Sequence, residues 1–148
     1  SYIYLTVKAM HVTGHCTGQR PGWHSDGFLT EDLNYVWYDK HPTEFYAGPI
    51  FDAPEDHERS LIAFQDACGM LPSKLYPHKH VLRLDPTVIH KPQDMMDSGF
   101  RTFVKVSVSK HVYALEGNSV NYAPDILDTT EKWEYIPRQA VRNCPVTD

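Results

Sequence analysis

Cysteine is scarce in this sequence: Cys16, Cys68 and Cys144 form no close pair, leave an odd number for disulfides and lack the spacing of a metal finger, so a reducing, cytoplasmic setting is the simplest expectation. No apolar run approaches the roughly 20 residues of a membrane span, and no basic segment followed by an apolar one opens the chain as a signal peptide would. Net positive charge is missing too. Fourteen Lys and Arg face 19 Asp and Glu, giving −5 at pH 7, which argues against gripping duplex nucleic acid while leaving room for a local basic pocket. A glycine-rich phosphate loop and a repeated strand-helix-strand unit are both absent, which disfavours a doubly wound sheet.

What the sequence does have is histidine and aromatic residues: nine His, nine Tyr and three Trp in 148 residues. That length suits one domain with one core. "SYIYLTVKAMHV" alternates, with Ile3, Leu5 and Val7 on one parity, and reads as a strand with one face in a core. The following "TGHCTGQRPGWHSDGF" is rich in Gly and reads as loop. Further strands are expected in "NYVWYDKH", "TEFYAGPIF", "KHVLRLDP" and "TVIHKP", the last two broken by Pro86 and Pro92. "APEDHERSLIAFQDACGML" is the one clear helix, with acidic residues at its start, Leu61, Phe64, Ala67 and Cys68 at helical spacing, and Gly69 as terminator. "RTFVKVSVSKHVYAL" alternates most strongly, and its "RTFVKVSVS" reads as a central strand beside the one that carries His90. Its Arg101, Phe103, Lys105 and Ser107 face the inside of a ligand-holding barrel, and Val104, Val106 and Val108 are expected to pack between sheet and helix. Residues 117–148 are polar and turn-rich but carry Tyr122, Ile126, Leu127, Trp133, Tyr135 and Ile136 as anchors, and are expected to wrap over the single domain 1–148 as a tail or lid. Many short strands with one helix favour an antiparallel all-β sandwich or barrel.

Within "GWHSDGF", His24 and Asp26 point the same way if the segment is extended. One imidazole and one carboxylate make an incomplete metal site; His90, in "LDPTVIHKP", completes a two-His, one-carboxylate set that holds one face of an ion and leaves the other open. His57, His78, His80 and His111 lie among charged or loop residues and read as solvent-facing.

Taken together, "GWHSDG", "LRLDPTVIHKP" and "GFRTFVKVSVS" resemble the metal and cosubstrate motifs of the Fe(II)- and 2-oxoglutarate-dependent dioxygenases. The resemblance covers about residues 20 to 110 and implies a double-stranded β-helix, the cupin-like jelly roll, with a minor helix. It also implies Fe(II) on His24, Asp26 and His90, O₂ as cosubstrate, and 2-oxoglutarate whose far carboxylate is held by Arg101, 11 residues after His90. Tyr35, Tyr46 and Ser107 are candidates to share that carboxylate. The implied activity is hydroxylation of an aliphatic C–H in a small molecule, nucleotide or peptide side chain, with release of succinate and CO₂. The alternative from another class is a non-catalytic jelly-roll protein that holds a metal or small ligand.

Overall fold

The computed structural model describes residues 1–14, 16–94 and 97–119. The chain divides into two compact units, Ser1–Lys110 and His111–Asp148. Nearly all of the expected tail lies outside the described residues. Of the second unit, 111–119 are described, with a turn in which Asn118 donates from its backbone to Leu115 O and from Nδ2 to Tyr113 O. No helix among the described residues is long and apolar enough to cross a membrane.

The first unit is all-β with one helix. Its elements in chain order are β1 (Tyr2–Val12), β2 (His24–Ser25), β3 (Leu33–Tyr38), β4 (Glu44–Tyr46), α1 (His57–Cys68), β5 (Ser73–Leu75), β6 (Leu82–Leu84), β7 (Ile89–Lys91) and β8 (Gly99–Ser109). The strands form two antiparallel sheets, one in the order β1-β8-β3-β6 and the other in the order β2-β7-β4-β5, so β8 lies beside β1 and β3 rather than beside the strand that carries His90. β5 has no alternation and every residue of it is exposed, which is why no periodicity marks it in the sequence.

Val36 and Leu84 from the first sheet and Phe45 from the second make a buried cluster, with Leu82, Val88 and Phe103 packed against it. A second cluster, Trp23, Phe64, Cys68 and Ile89, joins α1 to the opposite side of the β2-β7 pair. The helix begins at Asp56, whose carboxylate accepts the Arg59 backbone N–H at 2.7 Å, the usual service of an N-cap acid. Ser60, Phe64 and Cys68, four residues apart, form its buried stripe. Gly69 follows the last turn in an ordinary right-handed conformation, so the helix stops there without a left-handed cap.

The expectation for the valines needs correcting. Val104, Val106 and Val108 are only half-buried, and the helix packs elsewhere, on the Trp23 cluster. Register sets these valines in three apolar rows across the first sheet: Ile3, Val108 and Leu33; Leu5, Val106 and Tyr35; Val7, Val104 and Trp37. Ile3, Leu5 and Val7 are 74%, 68% and 60% exposed, so the apolar parity of β1 faces outward. The other parity of β8 carries Arg101, Phe103, Lys105 and Ser107 toward the second sheet, as the alternation of side chains across a strand requires.

Candidate metal centre

β2 is two residues long, yet it fixes the site. His24 stands directly opposite His90 in the antiparallel β2-β7 pair, and the two rings lie 4.6 Å apart between centroids. Alternation sends their neighbours the other way: Trp23 and Ile89 go to the helix-side core, and Ser25 donates its hydroxyl to Pro86 O at 2.7 Å. Asp26 follows β2, and Gly27 then turns the chain at φ +74°. A side chain at 27 would press on Asp32 Cβ at 2.9 Å, so this turn demands glycine and holds the carboxylate toward the imidazoles.

One ligand atom from each of His24, Asp26 and His90 lies within 4.8 Å of the others. Both imidazoles are anchored alike. Nδ1 of His24 is 2.8 Å from Gly22 O and Nδ1 of His90 is 3.1 Å from Val88 O. A carbonyl accepts, so Nδ1 carries the proton in each ring and Nε2 keeps its lone pair for an ion, the arrangement that backbone partners impose on metal-binding histidines.

Electrostatics favours the same state. Burial pushes the His24 imidazole down to about 3, helped by the positive charge His90 would carry and by Arg20, and opposed by Asp26 and the Gly22 hydrogen bond. Burial also pushes His90 down, against Asp26 and the Val88 contact, with Lys105 and Arg20 adding to the depression. Burial alone would raise the Asp26 carboxyl, but Lys105, His90 and His24 outweigh it and hold it well below the usual carboxylate range. The site is therefore two neutral imidazoles and one carboxylate at neutral pH, with no proton for a cation to displace.

Lys105 falls on the inward face of β8 by its parity with Arg101, although the motif itself assigns it no role. It stands four residues past Arg101 on the same face of β8, and its Nζ is 3.2 Å from Asp26 Oδ2. That contact engages one of the two carboxylate oxygens. Phe45, opposite His90 in the β4-β7 pair, lays its ring 5.8 Å from the imidazole and walls the site.

A cavity of about 140 Å³ opens onto His24, Asp26 and His90. Arg101, 4% exposed, lines it as well. Its Nε donates to Lys40 O and His41 O at 3.2 and 3.3 Å, and its guanidinium lies over the rings of Tyr38 and Phe103 at 5.4 and 5.2 Å. One face of the fork is thus fixed by backbone and aromatic partners, while Nη2 is buried without a hydrogen-bond partner. Burying a cationic donor in that way is costly unless something supplies an acceptor.

The three other candidates are not brought to this cavity. Tyr35 is on the outward parity of β3, across from Val106. Tyr46 donates its hydroxyl to Pro49 O at 3.1 Å and packs edge-on to Trp23 and Phe51, lining a separate, larger cavity of about 480 Å³. Ser107 shares the inward face of β8, but six residues of strand put it on the order of 20 Å from Arg101, and its hydroxyl donates to Asn34 Oδ1 at 2.6 Å. Lys8, Met10, Gln19, Arg20 and Thr43 line the cavity instead. Parity along β1 could have found Lys8 and Met10; the loop residues Gln19 and Arg20 carry no periodic signal. Comparison of the chain with family models, curated proteins and solved structures finds no match.

Proposed function

We propose that the protein is an Fe(II)- and 2-oxoglutarate-dependent oxygenase of jelly-roll fold, hydroxylating an aliphatic C–H of a small molecule, nucleotide or peptide side chain. One observation carries the reading: two neutral imidazoles and a carboxylate converge in a cavity that also receives a buried arginine whose Nη2 has no partner. The donor set fits Fe(II), since nitrogen and oxygen ligands on one face suit a non-haem iron with open positions. Arg101 fits a carboxylate, because a guanidinium meets one through two parallel hydrogen bonds and retains its charge when buried. The strand orders β1-β8-β3-β6 and β2-β7-β4-β5 support the jelly roll, in which eight antiparallel strands divide between two sheets. The free thiols of Cys16 and Cys68 suit a reducing, cytoplasmic setting.

In this reading iron, 2-oxoglutarate and O₂ together supply oxidative decarboxylation, with one oxygen atom leaving in succinate and the other entering the substrate C–H. The chain's own residues hold and orient. His24 and His90 present Nε2, Asp26 presents its carboxylate, and Arg101 anchors the far carboxylate. Phe45, Val36 and Leu84 exclude water from the inner wall. A cavity of about 140 Å³ suits the cosubstrate and leaves little volume beside it, so the substrate C–H approaches from the mouth.

The test is formation of succinate from 2-oxoglutarate by purified protein, expected only when Fe(II) and O₂ are both present. Arg101→Ala is expected to leave anaerobic Fe(II) binding nearly intact and to weaken 2-oxoglutarate binding by about 2–5 kcal/mol, the range for losing one partner of a buried charged pair. Metal and 2-oxoglutarate binding without succinate would favour the non-catalytic reading, and unaltered 2-oxoglutarate binding by Arg101→Ala would refute the assignment of Arg101.

A further inference from the structure

Among the described residues, the buried apolar side chains of the first unit form two clusters rather than one. A domain of this size ordinarily closes a single contiguous core, with few gaps larger than a water molecule. Here the cavity of about 480 Å³ takes up the middle. It is lined by Phe45 and Leu84 of one cluster and by Phe64 and Ile89 of the other. Its volume falls in the range of small-molecule sites.

The walls are braced from several elements. β4 supplies Phe45 and Tyr46, and the chain then folds back over the Tyr46 ring: a side chain at Gly48 would collide with that ring, and the Tyr46 hydroxyl donates to Pro49 O at 3.1 Å. The Ala47 backbone N–H donates to Pro72 O at 3.1 Å and ties the same loop to the segment before β5. Phe51, further along this loop, packs edge-on to Phe64 of α1 with ring centroids 5.9 Å apart. Phe45 stands edge-on to Tyr76 at 5.3 Å.

The lining also selects the chemical class of ligand. Among the described residues, the buried polar atoms without a partner belong to Gln19, Tyr38 and Arg101, none of which lines this cavity. Its interior therefore asks for no hydrogen bond. The charged residues of the lining are Asp52 and Arg83, both exposed and opposite in sign. A phosphate or carboxylate brought inside would lose its water without gaining a partner, whereas an uncharged apolar body gains from each contact it makes. Walls whose rings meet edge to face receive a further ring in the same manner. Ile50 lines the cavity while 84% exposed, an apolar side chain at the solvent edge that a ligand would cover.

We propose that this cavity is a second ligand site, for an uncharged apolar molecule bearing aromatic rings, whose body joins the two clusters into one core. The inference goes beyond the oxygenase reading and stands without it, because none of His24, Asp26 and His90 lines the cavity. Phe45 is common to both cavities, with Tyr76 on one side and the His90 imidazole at 5.8 Å on the other, so the ligand shares a wall with the metal site.

The probe is N-phenyl-1-naphthylamine, an uncharged aromatic amine whose fluorescence rises in apolar surroundings. Chelator-treated full-length protein is expected to bind it saturably and to melt at a higher temperature in its presence. Tyr76→Ala removes an exposed wall ring and is expected to weaken the probe about 2- to 10-fold. Ala53→Trp fills the cavity from the Phe64 side and is expected to abolish binding, while Arg101→Ala, in the other cavity, is expected to bind like wild type. Excess AMP, which carries the charge that the lining does not match, is expected to leave the probe in place. Absence of saturable binding to wild type, undiminished binding by Ala53→Trp, or loss of binding in Arg101→Ala overturns the site; displacement by AMP overturns the ligand class. Should Ala53→Trp fail to fold, Leu82→Asp, on the edge strand β6, sets a charge in the lining and is expected to weaken the probe by about tenfold or more; unaltered binding there overturns the inference equally. None of these measurements uses succinate formation or a bound metal, so their outcome is separate from that of the oxygenase reading.

Discussion

Without metal, the buried imidazoles make the fold sensitive to mild acid. Burial keeps His24 neutral down to about pH 3, against an ordinary value of 6.5, and depresses His90 in the same direction. In the unfolded chain both side chains titrate near 6.5. Below that pH the unfolded state takes up protons that the native state refuses, so stability is fully present above about 6.5 and is lost as pH falls toward the folded values. Each pH unit removes about 1.4 kcal/mol where the unfolded histidine is protonated and the folded one is not, so lowering the pH from 6.5 to 5 costs about 2 kcal/mol through His24, and His90 acts in the same direction. The depressed Asp26 carboxyl acts lower down: its contribution is present above the ordinary carboxylate range and is lost only as pH falls through and below it. Urea denaturation of chelator-treated protein across pH 5 to 7.5 reads the effect as a shift in midpoint at constant slope. The midpoint is expected to fall steeply below pH 6.5 in wild type and less steeply in His24→Asn. Excess Mn(II) is expected to restore much of the loss, because an ion binds only the deprotonated ligands. Flat stability from pH 6.5 to 5, or a slope unchanged in His24→Asn, would refute the reasoning.

Two further substitutions probe the support around the site. Lys105→Met removes the cation that does most to offset burial at Asp26; the Asp26 carboxyl is expected to titrate higher, and the apo protein to lose about 1–3 kcal/mol at neutral pH, measured by NMR titration and urea denaturation. An unchanged Asp26 titration would show that Lys105 does not engage it. Gly18→Ala puts a side chain on a left-handed backbone, with the flexible end of Met10 having to move aside, and is expected to cost about 1–2 kcal/mol in urea denaturation; an unshifted midpoint would mean that residue 18 does not hold a left-handed conformation.

The legible parts of this molecule are those encoded by short-range pattern. Alternation marked β1 to within a residue and the start of β8 to within two, though the alternating run continues past the strand's end at Ser109, and a striped segment opened by acidic residues marked α1. His24 and Asp26 could be paired because a two-residue spacing in an extended segment settles their direction, and His90 because a short strand presents one imidazole. Tyr35 and Tyr46 were candidates only by their place in the sequence near the metal loop, and neither parity nor composition says that one faces outward and the other packs on Trp23. Gln19 and Arg20 sit in a glycine-rich loop where no period exists, so their approach to the cavity depends on Gly18 and Met10 in three dimensions.

The valines reveal a deeper limit. An alternating strand declares two faces without saying which is inside, and the usual inference gives the inside to the apolar one. On β8 the inward face carries Arg101 and Lys105, each employed at the cavity, while Val104 and Val106 lie outward beside Val7 and Leu5. A cavity able to hold an ion and an acid must be lined by charged side chains that a close-packed core would exclude. Where a strand borders such a cavity, the polar parity is therefore the interior one, and Lys105 follows from Arg101 by counting four residues along the same face.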